Sequence, residues 1–254
     1  MNNFFVFLKK ELAEFVKTWK LLIMLLLFLV SSVLSPVLAY FTPTLLELSG
    51  LELGGMMEEL YNMTMESSYH MYYGNQIQMG FLALIFITCL AVVREKSKGT
   101  AVLTLTKNIS RATFIISKFT SYVIWYTFVS LVSYGAFALL TQIFFEKSFT
   151  KDALVSMLIF YILGILFIAS SIFASCLAKN TLTSCLIGFG FYALVFILGT
   201  IPYIREYTPG MLNNNAYAIL VGDYSNLLIP LITTGACMVL FIFFGILSFE
   251  KQEL

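Results

Sequence analysis

Residues 153–178 read ALVSMLIFYILGILFIASSIFASCLA, twenty-six positions without a charge or a histidine. A helix rises 1.5 Å per residue, so about 20 such residues cover the ~30 Å hydrocarbon layer of a bilayer. The apolar run is too continuous for a barrel strand, whose faces alternate, and too long for a sandwich strand. Five more stretches share its character: 21–41, 77–93, 119–145, 181–203 and 226–248. None of the six contains Asp, Glu, Lys, Arg or His. The whole chain is 59% hydrophobic and 11% charged, with a mean hydropathy of +0.89. A soluble domain is near half apolar and a quarter charged, so the excess apolar surface here must face lipid. The expected fold is an all-α polytopic membrane protein, a single transmembrane domain over 1–254 with six spans.

The loops set the orientation. Lys9, Lys10, Lys17 and Lys20 precede the first span, and the 94–118 loop carries Arg94, Lys96, Lys98, Lys107, Arg111 and Lys118. With Lys179 and Lys251, twelve basic residues fall on one side; only Lys147, Lys151 and Arg205 fall on the other. The positive-inside rule then makes both termini cytoplasmic. Val37-Leu38-Ala39 resembles a signal-peptide cleavage site, but the apolar run before it is longer than a signal core, so an uncleaved span is expected. Pro36 is expected to disturb that span, with Ser31, Ser32 and Ser35 serving freed backbone groups. Ahead of it, residues 3–19 place Phe4, Phe5, Leu8, Leu12, Phe15, Val16 and Trp19 at helical spacing. Lys9, Lys10, Glu11, Glu14 and Lys17 fill much of the remaining circumference. This predicts an amphipathic helix lying in the cytoplasmic interface, against membrane lipid.

Residues 42–76 form an acidic, Met-rich extracellular segment with Gly54-Gly55 as a break; it reads equally as an adaptable contact surface or as a cap on the helix ends. Residues 203–225, with Pro209-Gly210 and Asn213-Asn214-Asn215, read as a turn-rich connection. His70 is the single histidine and stands without metal-ligand company. The four cysteines lie in apolar runs without a CxxC pair. A net charge of +1 gives no support for a nucleic-acid partner. Spans free of ionisable residues argue against a secondary carrier, and the paired carboxylates or Ser-His couple of intramembrane hydrolysis are missing. No GxxxxGK[ST] loop occurs, so any ATP that drives transport is bound by another protein. No catalytic, cofactor-binding or metal-ligating residue is expected in the chain.

The 94–118 segment carries the remaining information. A span ends in a charged turn, Gly99 frees the backbone, Thr100 opens a short helix containing Val102, Leu103 and Leu105, and Ser110 caps the next helix. In its Glu95-x-x-x-Gly99-Thr100 sequence, leucine run, Ser110-Arg111 pair and Lys118, this segment resembles the permeases of the ABC-2 family. The interfacial N-terminal helix, the six spans and the large loop before span two extend the resemblance over nearly the whole chain. Asn108 departs from the pattern, standing where many members have proline.

The resemblance implies a permease subunit of an ATP-binding-cassette exporter. It implies a second copy of the chain or a related permease, and cytoplasmic ATPase subunits that hold the ATP and Mg. The 94–118 loop then holds a coupling helix that docks on the ATPase. Arg94, Glu95, Gly99, Thr100, Leu103, Leu105, Ser110 and Arg111 are the coupling residues it implies, with Glu95 and Arg111 fixing the helix by ion pairing and Leu103 and Leu105 touching the ATPase. Phe28, Tyr126, Phe189, Tyr192 and Phe196 are candidates for lining a path. The cargo this family suggests is a hydrophobic or amphipathic substrate (peptide toxin, bacteriocin or drug) leaving a bacterial cell across its plasma membrane; phenol-soluble modulins are one such class. The alternatives are a stand-alone carrier or channel and a non-transporting immunity or anchor protein.

Overall fold

Trp19 and Gly99, both at positive φ, mark the two sharp turns at the basic end of a helical bundle. The computed structural model describes residues 3–49, 64–106, 109–145 and 150–252, and among these there are helices and turns but no strand. Helix α1 (Asn3–Lys17) is followed by a turn at Thr18 and Trp19, and α2 (Lys20–Ser49) runs on through Pro36 and Pro43. Ser31 and Ser32 donate to the Phe28 carbonyl and Ser35 to that of Ser31, so the serines serve carbonyls of their own helix. Then come α3 (Met65–Asn75), a π-helical turn at Gln76–Phe81 and α4 (Leu82–Cys89), followed by α5 (Val93–Ser97) and α6 (Thr100–Leu105). The chain continues with α7 (Arg111–Phe145), α8 (Lys151–Leu177), α9 (Thr181–Thr200), α10 (Met211–Leu220) and α11 (Leu228–Glu250). Among the described residues, six helices are long and apolar enough to cross a membrane: Lys20–Leu45, Met65–Ser97, Arg111–Phe145, Lys151–Leu177, Thr181–Thr200 and Leu228–Glu250.

Helix α8 is the centre. It is apolar all round, as a helix enclosed by others must be, and packs against α4, α7, α9, α10 and α11. Thr150 caps its start by accepting from the Ala153 amide at 3.2 Å. Small residues let its neighbours close in: a Cβ on Gly164 would lie 2.0 Å from the Tyr126 hydroxyl oxygen. By contrast α2, α9 and α11 turn much of their surface outward, with Leu26, Leu186 and Ile232 exposed.

Two segments differ from the sequence expectation. The second span extends well before the 77–93 apolar run, because α3 is continuous with it and buries Tyr69, Tyr72 and Tyr73 against α7 and α8. Tyrosine lowers an average hydropathy yet buries a large ring. His70 therefore sits on a helix, its ring stacked 4.1 Å from that of Tyr217. Of the 42–76 segment, residues 50–63, including Gly54-Gly55, lie outside the described residues. The 203–225 connection contains α10, which buries Leu212, Ala216 and Ile219. It enters by a close approach: a Cβ on Gly210 would lie 2.4 Å from the Val195 carbonyl oxygen.

Around the π turn lies a neutral hydrogen-bonded cluster. Gln76, 1% exposed, donates from Nε2 to the Phe28 carbonyl and to Ser133 Oγ. Gly80 makes room for it, since a Cβ there would lie 2.2 Å from Gln76 Oε1. Tyr73 and Ser156 share a hydrogen bond of 2.7 Å, Tyr72 bonds Ser133, and Tyr134 donates to the Ala153 carbonyl.

Candidate functional site

The second span breaks before it reaches the 94–118 segment. α4 ends at Cys89, and helical hydrogen bonding resumes only at Val93. A buried break exposes amides and carbonyls that have no water to turn to, and three other helices supply the missing partners. Ser175 of α8 accepts from the amides of Val92 and Val93 at 3.0 and 2.9 Å. Ser184 of α9 donates to the Cys89 carbonyl, and Tyr122 of α7 to that of Ile87. The chain bends here into an elbow formed by α5 and α6.

A buried ionic cluster fastens the elbow. Lys118, 2% exposed, donates to Glu11 Oε2 at 2.9 Å and to Glu95 Oε1 at 2.7 Å. It thus joins α7 to α1 and α5. Lys10 lies 3.0 Å from Glu11, 3.3 Å from Glu95 and 3.3 Å from Glu14; Lys20 reaches Glu14 at 3.8 Å. Three carboxylates face three ammonium groups, so the cluster is neutral. Burial works against the charge on Lys10, but Glu11, Glu95 and Glu14 outweigh it and hold the ammonium above the ordinary lysine range. Burial likewise opposes the Glu14 carboxylate, yet Lys10, Lys118 and Lys20 bring its pKa below the usual value. Carboxylate oxygens of Glu11, Glu14 and Glu95 come within 4.8 Å of one another, a spacing that could suit a metal ion. Here the lysine ammonium groups take the positions a cation would need.

Aromatic packing reinforces the joint. The rings of Phe7, Phe114 and Phe249 stack in series at 5.4 and 5.3 Å, linking α1, α7 and α11. Phe15 meets Tyr122 edge-on at 5.1 Å. Lys96 donates to the carbonyls of Cys176 and Ala178 and to Gln252, closing the end of α8. Arg111 donates to the carbonyls of Phe249, Glu250 and Gln252, doing the same for α11.

The coupling residues named from the sequence are distributed as follows. Arg94 is exposed on α5 beside the buried Glu95. Gly99 is left-handed at φ 69°, where a side chain is strained although open space surrounds it. Thr100 donates to the Glu95 carbonyl. Ser110 accepts from the Thr113 amide at the start of α7. Glu95 pairs with Lys118 and Lys10, while Arg111 works as a helix cap. The side chains of Leu103 and Leu105, and the whole of Asn108, lie outside the described residues. Of the aromatic path candidates, Phe28 and Tyr126 are buried inside the bundle, 6.0 Å apart edge-on. Half-buried Tyr192 donates to the Ile77 carbonyl and packs on Phe196, and Phe189 is also half-buried.

Sequence reasoning missed Lys10, Glu11, Lys96 and Ser175, and left Lys118 out of the coupling set. Glu11 carried a signal: it stands four residues after Phe7 and four before Phe15, on the face that packs.

The sequence matches the ABC-2 family transporter proteins over residues 5–254, and the chain belongs to that family. No curated protein matches it. Membership and the six apolar helices make this a multi-pass membrane protein of the ABC transporter class, a non-catalytic membrane subunit. Members typically work with an ATPase and dimerise.

Proposed function

We propose that the chain is the permease of an exporter in a bacterial plasma membrane, driven by ATP hydrolysed on a separate cytoplasmic ATPase that docks on the elbow at 94–111. Both termini and the elbow face the cytoplasm, and a second copy of the chain, or a related permease, completes the transport path. ATP and Mg lie on the ATPase. The cargo is amphipathic or hydrophobic, in keeping with spans that carry aromatic and methionine side chains but no central charge.

One observation carries this reading. Through Lys118, Lys10, Lys96 and Ser175 the elbow is tied to α1, α7 and α8, while Arg111 holds α11 to the start of α7. A load applied at Gly99–Leu105 is therefore passed on to helices, whereas a loose loop would absorb it. The test is to purify the chain with a candidate ABC ATPase and reconstitute the pair in liposomes. ATP turnover should rise with candidate amphipathic peptides, and Gly99→Val should abolish that rise while the pair stays assembled. Peptide flux by the chain alone, or labelling of Lys98→Cys only from the outside of intact cells, would overturn the reading.

A further inference from the structure

Between α1 and the elbow lies an open groove of about 600 Å³. Phe7, Leu90 and Ala91 form an apolar wall, and Lys20, Arg94, Glu95 and Lys98 supply charge around it. Two features of this groove are unsettled. Once Lys10, Lys20 and Lys118 have matched Glu11, Glu14 and Glu95, the cations Arg94 and Lys98 remain in excess; both are exposed, and among the described residues neither side chain has a hydrogen bond or ion pair. And Glu95, 9% exposed, keeps its Oε2 buried without a hydrogen-bond partner among the described residues, while its Oε1 takes two lysines. The groove thus offers two unmatched cations to an anion and, in the same lining, a carboxylate oxygen that lacks a donor.

The surroundings identify the occupant. On α1 and at the turn after it, Phe5, Val6, Val16 and Trp19 are exposed, an apolar belt suited to the acyl boundary of a bilayer. The groove opens beside this belt, where the first span begins. A guanidinium and an ammonium suit a phosphate, the former in bidentate fashion.

We propose that the groove binds the headgroup of a phospholipid that joins a phosphate to a donating hydroxyl, with the phosphate on Arg94 and Lys98 and the hydroxyl on Glu95 Oε2. The lipid fills the space between interfacial helix and elbow, so the two move together within the membrane surface. The elbow is also where the proposed function docks the ATPase, but lipid binding is read on the chain alone, so its failure is distinguishable from a failure of docking.

Trp19 and Trp125 are the only tryptophans, so Trp125→Phe leaves Trp19, the residue between the groove-lining Thr18 and Lys20, as the single reporter. The full-length Trp125→Phe chain is titrated in detergent with brominated phosphatidylglycerol, phosphatidylcholine or phosphatidylmethanol of identical chains, and quenching of Trp19 is followed. Each cation near an anionic headgroup contributes roughly fivefold, so phosphatidylglycerol should quench at about 25-fold lower mole fraction than phosphatidylcholine. Arg94→Gln with Lys98→Gln, both at exposed positions, should remove that preference while leaving the helical circular dichroism unchanged. Phosphatidylmethanol keeps the anion but lacks the donor, and should bind several-fold more weakly than phosphatidylglycerol. Equal quenching by all three lipids, or a preference that survives the double change, refutes the site. Loss of the preference on adding millimolar glycerol phosphate would show a soluble-anion site and refute the lipid; equal binding of phosphatidylmethanol and phosphatidylglycerol would refute the role of Glu95.

Discussion

Two polar networks hold this bundle, one towards each end, and they are built from opposite materials. At the basic end, charges do the joining: Lys118 between Glu11 and Glu95, Lys96 on the end of α8, Arg111 on the end of α11. Around the π turn the joints are neutral: Tyr73 with Ser156, Tyr72 with Ser133, Gln76 with Phe28 and Ser133. Deep in lipid an ion loses its hydration, and few partners can replace it. Near the headgroups water and counter-ions remain within reach, so lysine and glutamate can serve there. The difference teaches that the charged end is the one suited to change partners, and the neutral end the one suited to keep them.

The comparison fails most clearly if removing a charge costs no more than removing a hydroxyl. Lys118→Ala takes the one fully buried ammonium from Glu11 and Glu95, leaving them to share the half-exposed Lys10, and should cost about 3–5 kcal/mol, seen as a large drop in unfolding midpoint in detergent. Adding Glu11→Gln and Glu95→Gln to Lys118→Met should restore most of that loss, because the buried carboxylates go with their ammonium, while Glu14 keeps Lys10 and Lys20 at the more exposed edge of the cluster. Ser175→Ala leaves the amides of Val92 and Val93 without their acceptor and should cost about 2 kcal/mol, with faster hydrogen exchange confined to 90–93. Gly99→Val should cost roughly 1–2 kcal/mol from its positive φ alone, and Gly99→Asn much less, because nothing crowds a Cβ there. Tyr73→Phe removes one neutral bond to Ser156 and should cost about 1 kcal/mol.

Acid gives the smallest effect. Glu14 titrates below the usual carboxylate range in the folded chain, so its contribution is complete above the unfolded value, about 4.3, and fades as pH falls through its lowered value. Lys10, raised, contributes below about 10.4 and loses that contribution only in strong alkali. Docking of α1, followed by a fluorophore on its exposed face, should therefore be flat from pH 5 to 9 and loosen below about pH 4. A transition near pH 6 would mean that the cluster is not paired as described.

The six spans were readable because lipid imposes composition directly, and one uncharged stretch such as 153–178 already excludes soluble folds. The elbow was readable for a different reason: Gly99 and Thr100 advertise a turn and a helix start whatever surrounds them. The lock on the elbow was not. Lys118 lies 107 residues from Glu11 and 23 from Glu95, and no periodicity relates positions on three helices. Glu11 was counted with the solvated side of α1, although its spacing from Phe7 and Phe15 puts it on the packed face. Counting charge by type hid it, because a buried glutamate and a solvated one read alike until the partner is known. Helix α3 escaped for a similar reason, since its buried surface is tyrosine and not aliphatic.

The π turn at Gln76–Phe81 has a consequence for how this span can vary. Such a turn holds one residue more than an α-helical turn would, so it sets the phase between the tyrosine half and the elbow half. Deleting a single residue within 76–81 would leave a smooth, equally hydrophobic helix of almost the same length. It would also rotate Tyr69, Tyr72 and Tyr73 by roughly 100° relative to Val92 and Val93, with no charge or hydropathy altered. Homologues that lack the extra residue should therefore show a one-residue gap inside this span, together with matching changes at Ser133 and Ser156.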